Sequence, residues 1–269
     1  MNKGSYFLST GGVDEKRLGI INKIYNPVSY EFLLESGLKS GMNVLEIGCG
    51  YGHTAIWLAK QVLPNGRVYA VDFSEDSLAI ASENAKKAKL NNIEFIHLDV
   101  ANIDTIGQKV DFFYGRWVLE FCKPADDIFK KIHSLLNSGG IFTYEALNFD
   151  KSDHFIYPES NVVKQWNDFV VVNATKRNSE LTLAHEIYYL INQIGFKDIF
   201  AKRHQPILKT PEEKSLYRLA LLSAKDNWIE NKMTPESEIN KLIDEFIKVE
   251  NDPSTIMGFY NNTLIRGIK

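Results

Sequence analysis

Gly48, Gly50 and Gly52 fall within five residues, directly after the apolar run Val44-Leu45-Glu46-Ile47. Glycine lets a backbone turn sharply and lets a ligand approach it closely. A loop of this kind at the carboxyl end of a strand forms the ligand crevice of an open α/β sheet. Two acids end the next two apolar runs. Asp72 stands 20 residues after Gly52, where a carboxylate can accept hydrogen bonds from both ribose hydroxyls of an adenosine. Asp99 ends the following run, where it can accept from an adenine amino group. Glu46 lies inside the first run. A buried carboxylate is costly unless paired, so Glu46 is expected to orient loop amides or to meet a cationic ligand.

The nicotinamide fingerprint G-x-G-x-x-G is the rival pattern. Here Gly48-Cys49-Gly50-Tyr51-Gly52-His53 puts histidine at the last required position, and the third glycine comes one residue early. With Asp72 and Asp99, the loop favours an adenosine ligand of another kind.

Regular elements must carry these residues. Val44–Ile47, Arg67–Asp72, Ile93–Asp99, a strand within Val110–Phe121, and Ile141–Asn148 read as strands. Helices through Ile56–Val62, from Ser74 to Lys89, and over Ala125–Leu136 alternate with them. Such alternation predicts a Rossmann-like, doubly wound, mostly parallel sheet with helices on both faces. Before it, residues 1–40 read as an N-terminal lid of two helices, the second opened by Asn26-Pro27 and ended by Gly37. After it, Leu181–Ile194 reads as a helix and Phe196–Arg203 as a sixth strand. Thr210-Pro211-Glu212-Glu213 is a capping-box signature, opening a helix to about Ala224. Thr234-Pro235 opens another, with Ile239, Leu242, Ile243 and Phe246 on one face. The expected division is a lid over 1–40, a core over 41–205, a helical insertion over 206–253 and the seventh strand over 254–269.

Composition narrows the class. The chain has 269 residues, 44% apolar and 24% charged, with a net charge of −3. No overall positive field draws it to nucleic acid or an anionic membrane. Its apolar runs stop well short of the roughly 20 residues a membrane span needs, and the first residues lack the apolar stretch of a signal peptide. Cys49 and Cys122 make neither a disulfide framework nor a zinc site. A cytoplasmic protein without metal, a monomer or homodimer, is the expectation.

The motifs resemble those of the class I S-adenosylmethionine-dependent methyltransferases, the UbiE-like branch in particular. VLEIGCGYG (Val44–Gly52) is similar to their first motif, VYAVDFS (Val68–Ser74) to the second and IEFIHLDV (Ile93–Val100) to the third. DFFYGRWVLEFCKP (Asp111–Pro124) resembles the fourth-strand motif, and LLNSGGIFTYEALN (Leu135–Asn148) the run into strand five. The resemblance is strong over about residues 40–148 and fades toward both ends. It implies that Glu46, Gly48 and Gly50, with Cys49 between them, surround the methionine part of S-adenosylmethionine. Asp72 would hold the ribose, Phe73 pack on adenine, and Asp99 with Val100 meet the adenine edge. Arg116 would lie beside the methionine part and the substrate. The fourth strand departs from the Asn/Asp-Pro-Pro-Tyr/Phe motif that serves exocyclic amines and glutamine amides, which argues against those acceptors.

The implied reaction is an in-line methyl transfer to an O, N or C atom of a small molecule, leaving S-adenosylhomocysteine. Holding the nucleophile about 3 Å from the methyl carbon supplies much of the rate; a base is needed only for an acceptor that is protonated at neutral pH. Tyr25, Glu145 and His154 are the candidate bases. Tyr6, Tyr30, Trp117, Glu120 and Tyr144 are candidate substrate contacts, although each also suits plain packing. An RNA or protein methyltransferase, a nicotinamide oxidoreductase and a non-enzymatic cofactor-binding regulator are the rival readings.

Overall fold

The structure is a computed structural model that describes residues 12–122, 124–148, 154–176, 179, 182–232 and 234–269. The chain divides into two compact units: Pro27–Asn148, Ser179–His204 and Asn262–Lys269 form one, and Met1–Asn26, Phe149–Asn178 and Gln205–Asn261 the other.

The first unit holds the sheet. Its strands are β1 (Val44–Ile47), β2 (Val68–Asp72), β3 (Ile93–His97), β4 (Val110–Arg116), β5 (Leu136–Leu147), β7 (Lys197–His204) and β10 (Asn262–Ile268), in the order β3-β2-β1-β4-β5-β10-β7. β10 pairs antiparallel with both β5 and β7, and the other four pairings are parallel, so the expected mostly parallel, seven-stranded sheet is present. Strand side chains alternate between faces. Val44, Val68, Ala70 and Phe112 pack with Phe32, Leu33, Ala55 and Leu58, from helices α1 (Gly12–Glu35) and α2 (His53–Gln61). Leu45, Ile47, Val71 and Phe113 pack on the other face with Ile128, Phe129, Leu183 and Ile187, from α4 (Ala125–Leu135) and α6 (Leu183–Ile194).

Helix α3 (Glu75–Lys87) follows the charge order its sequence dictates. Ser74 Oγ accepts from the Ser77 amide at 3.2 Å, Glu75 and Asp76 occupy the first turn, and Lys86 and Lys87 the last. Charges so placed oppose the helix dipole.

The second unit carries a three-stranded antiparallel sheet, β6 (Ile156–Tyr157), β9 (Ile256–Gly258) and β8 (Ile207–Leu208), in the order β6-β9-β8. Around it lie α5 (Asn161–Lys176), α7 (Pro211–Lys214), α8 (Leu216–Glu230) and α9 (Glu236–Asn251). Tyr217 anchors its core, stacked on Phe246 and edge-on to Trp166 and Phe259. The predicted capping box is present in full: Thr210 Oγ1 accepts from the Glu213 amide, and the Glu213 carboxylate from the Thr210 amide.

Several expectations need correction. The two N-terminal helices are one, α1, with Pro27 inside it. Proline removes one amide donor, yet the helix carries through and closes beyond Glu35. The Leu38 amide donates to Leu33 O and the Gly37 amide to Leu34 O, with Gly37 at φ +105°. That is a Schellman closure, in which glycine alone takes the left-handed position without strain. The unit boundaries also differ from the expected division. The second half of α1 belongs with the sheet, because Phe32 and Leu33 pack into its core. Phe149–Asn178 belongs with the helical unit, where Trp166 meets Tyr217. The closing segment is two strands, one in each sheet. Helix α4 ends at Leu135 and β5 begins at once at Leu136, ahead of the expected start at Ile141.

Candidate cofactor site

The strand order reverses between β1 and β4, the switch point at which open α/β sheets bind ligands beyond their carboxyl ends. Register brings the site residues to that end. Glu46 sits between Ala70 and Tyr114, Gly115 between Ile47 and Tyr144, and Arg116 opposite Glu145. Asp72 lies opposite His97 on β3.

The glycine loop turns on left-handed residues. Gly48 has φ +64°, and a Cβ there would stand 2.2 Å from Val118 Cγ2, so only glycine lets the loop meet the turn after β4. Gly50, at φ +51°, faces open space. Asp72 holds this loop: its Oδ2 accepts from the Gly50 amide at 2.8 Å and its Oδ1 from the Ser74 amide at 2.9 Å. A carboxylate offers about four lone-pair directions, so it can still accept from two hydroxyls. Burial raises the Asp72 carboxyl, while the amides of Ser74, Gly50 and Phe73 pull it down. Asp99 Oδ1 accepts from the Ala101 amide at 2.9 Å, capping the turn Val100–Ile106. Phe73 follows Asp72, is 50% exposed and lies tilted against His97, ring centroids 6.1 Å apart. Cys49 is a buried thiol whose pKa burial raises well above its ordinary value, as suits packing rather than nucleophilic chemistry.

Glu46 is buried, and its Oε2 has no hydrogen-bond partner among the described residues. Burial pushes its carboxyl up to about 8, against the pull of Arg116, and Asp72 adds to the rise. Burial works against charge on Arg116 too, but Tyr114, Glu145, Tyr30 and Glu46 around it outweigh that and hold it protonated. Its Nη1 donates to Ser29 Oγ at 3.3 Å. The crevice thus holds one firm cation and one acid ready to ionise when a second cation arrives. That pair, with Asp72 and Asp99, fits a nucleoside joined to an α-amino acid.

The other predicted residues divide clearly. Tyr30 stacks on Trp57 with ring centroids 4.0 Å apart. Tyr144 is a buried tie: its hydroxyl donates to Glu120 Oε2 at 2.8 Å and accepts from the Val118 and Leu119 amides. Glu120 is fully buried, accepts also from the Leu147 amide, and is pushed up to about 7 by burial. Both therefore brace the turn after β4. Glu145 accepts from Tyr114 Oη on one oxygen and from Asn262 Nδ2 on the other. Tyr25 and His154 belong to the helical unit. Tyr25 Oη donates to Tyr260 O at 2.7 Å. His154 Nδ1 lies 2.9 Å from Tyr217 Oη, which itself donates to Gly258 O. That chain leaves Nδ1 as the donor and Nε2 as the ring's acceptor. Burial lowers the His154 pKa to about 4. Tyr6 lies outside the described residues.

Tyr114, Ser29 and Asn262 escaped sequence reasoning. Tyr114 had a signal, since residues 114 and 116 share one face of a strand. Asn262 had none, being 146 residues from Arg116.

Comparison with known proteins agrees with this geometry. A family model described as a methyltransferase domain matches residues 38–204. The demethylmenaquinone methyltransferase of Listeria welshimeri is 28% identical over 103 residues, 38% of this chain and 44% of the relative. The match therefore spans less than half of that enzyme. Phosphoethanolamine N-methyltransferase 2 of Haemonchus contortus, solved with phosphomonomethylethanolamine and S-adenosylhomocysteine, shares the fold at TM-score 0.52 and 19% identity, covering 99% of this chain and 55% of that one. The YcgJ protein of Bacillus subtilis does so at TM-score 0.55 and 17% identity, covering 88% of this chain and 95% of that one. With the family matched across the sheet unit's glycine loop, both acids and Arg116, the chain belongs to the methyltransferase-domain family of class I, S-adenosylmethionine-dependent enzymes.

Proposed function

We propose that the chain transfers the methyl group of S-adenosylmethionine to an O, N or C atom of a small molecule. The observation that carries this reading is the unpartnered, buried Glu46 Oε2 near Arg116 at the sheet's switch point, with Asp72 and Asp99 on the next strand ends. Asp72 takes the ribose hydroxyls, Phe73 the adenine face, and Asp99 with Val100 the adenine edge. Glu46 takes the ammonium and Arg116 the carboxylate of the amino-acid part, beside Gly48, Cys49 and Gly50. When bound, the sulfonium supplies an electrophilic methyl group; the protein's part is orientation and exclusion of water. An aromatic or polyketide-like acceptor suits Tyr30 and Trp117, and the Listeria relative is named for a demethylmenaquinone. A net charge of −3 favours such a molecule over nucleic acid. No described helix is long and apolar enough to cross a membrane, and two free cysteines suit the cytoplasm.

Among Tyr25, Glu145 and His154 as proton acceptors, the hydrogen-bond chemistry favours His154. Its tautomer is fixed with Nε2 as acceptor, whereas Glu145 has a donor on each oxygen. The test is turnover of methyl-labelled S-adenosylmethionine against a panel of phenols, quinols, amines and carbon acids. Label in one small acceptor, lost in Asp72→Ala, supports the reading. Label only in RNA or protein overturns it.

A further inference from the structure

Trp117 is the first residue after β4 and has φ +57°. A bulky side chain rarely adopts this left-handed backbone, and it persists only where surrounding contacts impose it. Here they do. The Trp117 amide donates to Glu145 O at 3.0 Å, and its indole Nε1 donates to Asn262 Oδ1 at 3.0 Å. Asn262 Nδ2 donates to Glu145 Oε2 at 2.5 Å, and Tyr114 Oη donates to Glu145 Oε1 at 2.9 Å. The amide orientation of Asn262 follows from its partners, because indole only donates and carboxylate only accepts.

Both residues that flank Trp117 face the cofactor crevice. Val118 packs against Gly48 of the glycine loop, and its amide donates to Tyr144 Oη. Arg116 lies across the strand from Glu145, and its guanidinium carbon stands 5.9 Å from the Trp117 ring centroid. Glu145 is fully buried, with Arg116 nearby and a donor on each oxygen. The strained turn therefore sits between the cation and the residue keyed to the loop. Its clamp comes from strands β5 and β10.

We propose that Asn262 and Glu145 are positioning residues, which hold Trp117 in the left-handed turn so that Arg116 keeps its guanidinium on an α-amino carboxylate, the amino-acid end of the cofactor. This rests on the S-adenosylmethionine reading above. Neither residue touches the ligand; both act through Trp117 and Arg116.

The test compares calorimetric affinities for S-adenosylhomocysteine and 5′-methylthioadenosine, which keeps the thioether nucleoside and lacks the amino-acid part. Asn262→Leu should weaken S-adenosylhomocysteine about tenfold, about 1.4 kcal/mol, and leave 5′-methylthioadenosine within about twofold. Adding Trp117→Gly to Asn262→Leu should restore the ratio, because glycine adopts the left-handed turn unaided. A merely structural role would weaken both ligands alike and would not be rescued; that result overturns the proposal. If Asn262→Leu does not fold, Trp117→Gly alone decides. A preserved affinity ratio supports the clamp's purpose as the turn, and a tenfold fall shows that the indole itself is needed and overturns it. A wild-type protein that binds neither ligand defeats the cofactor reading itself.

Discussion

Lowering the pH should weaken cofactor binding through one residue, Glu46. Burial pushes its carboxyl up to about 8 in the ligand-free protein. At pH 7 about one site in ten is then ionised, and at pH 6 about one in a hundred. If the ionised form receives the ligand's cationic end, the apparent affinity is the intrinsic one scaled by that fraction. It should fall about tenfold per pH unit below 8, about 1.4 kcal/mol each, and level off above. Binding at pH 7 should also release close to one proton. The sign for stability is consistent. The folded pKa lies above the unfolded value of 4.5, so this group's contribution to the ligand-free fold is full below about pH 4.5 and lost as pH rises through about 8. A bound cation offsets that loss, so the Tm gain on adding S-adenosylmethionine should grow from pH 6 to 8. The assay is titration calorimetry at pH 6, 7 and 8 in two buffers of different ionisation enthalpy, with Glu46→Gln as the control that carries the ligand's own ionisation. Equal affinities at pH 6 and 8 with no buffer dependence would refute the reasoning. So would a Glu46→Gln protein that keeps the wild-type pH dependence.

Three further outcomes follow from the geometry. Gly48→Ala must hold φ +64° and a Cβ 2.2 Å from Val118 Cγ2; the left-handed conformation alone costs roughly 1–2 kcal/mol, so calorimetry should show a lower Tm and S-adenosylhomocysteine binding should weaken more than tenfold. Asp72→Asn loses the charge and turns an NH2 donor against one of the two amides, Gly50 or Ser74, that the carboxylate accepts from, so S-adenosylhomocysteine affinity should fall by about 1.5–3 kcal/mol and the urea midpoint should fall with it. In the helical unit, Lys214 is buried and its Nζ donates to Val249 O, Asp252 O and Thr255 Oγ1 at the end of α9. Lys214→Met removes a charged donor from all three, although Val249 O and Asp252 O keep the amides of Asp252 and Thr255, and should cost about 1.5–3 kcal/mol in denaturant unfolding.

The central strands were legible because parallel strands buried on both faces read as apolar runs: VLEI leads into Gly48 and VYAVD ends at Asp72, whereas the edge strand IEFIH is only half-buried and stops two residues before Asp99. Helix α5 was not legible. Its Val170-Val171-Val172 run is β-branched, and burial of Val162, Val163 and Trp166 overrides that preference. Strands of two or three residues, such as β6 and β8, are too short for an alternation to show. Pro27 marked the seam between units but not a helix break. In the site, the two acids proposed to face an adenosine were readable because Asp72 ends β2 and Asp99 closely follows β3. The clamp on Trp117 was not, since Glu145 and Asn262 meet only through the pairing of β5 with β10. The same pairing explains why Glu145, a plausible base from sequence, is instead engaged on both oxygens.

The central claim is that this crevice is built for a nucleoside carrying an amino acid. Titration calorimetry of the intact chain with S-adenosylmethionine, S-adenosylhomocysteine and NAD tests it most directly. Saturable binding of the first two, with none of NAD, is the predicted result; binding of NAD alone would contradict the account.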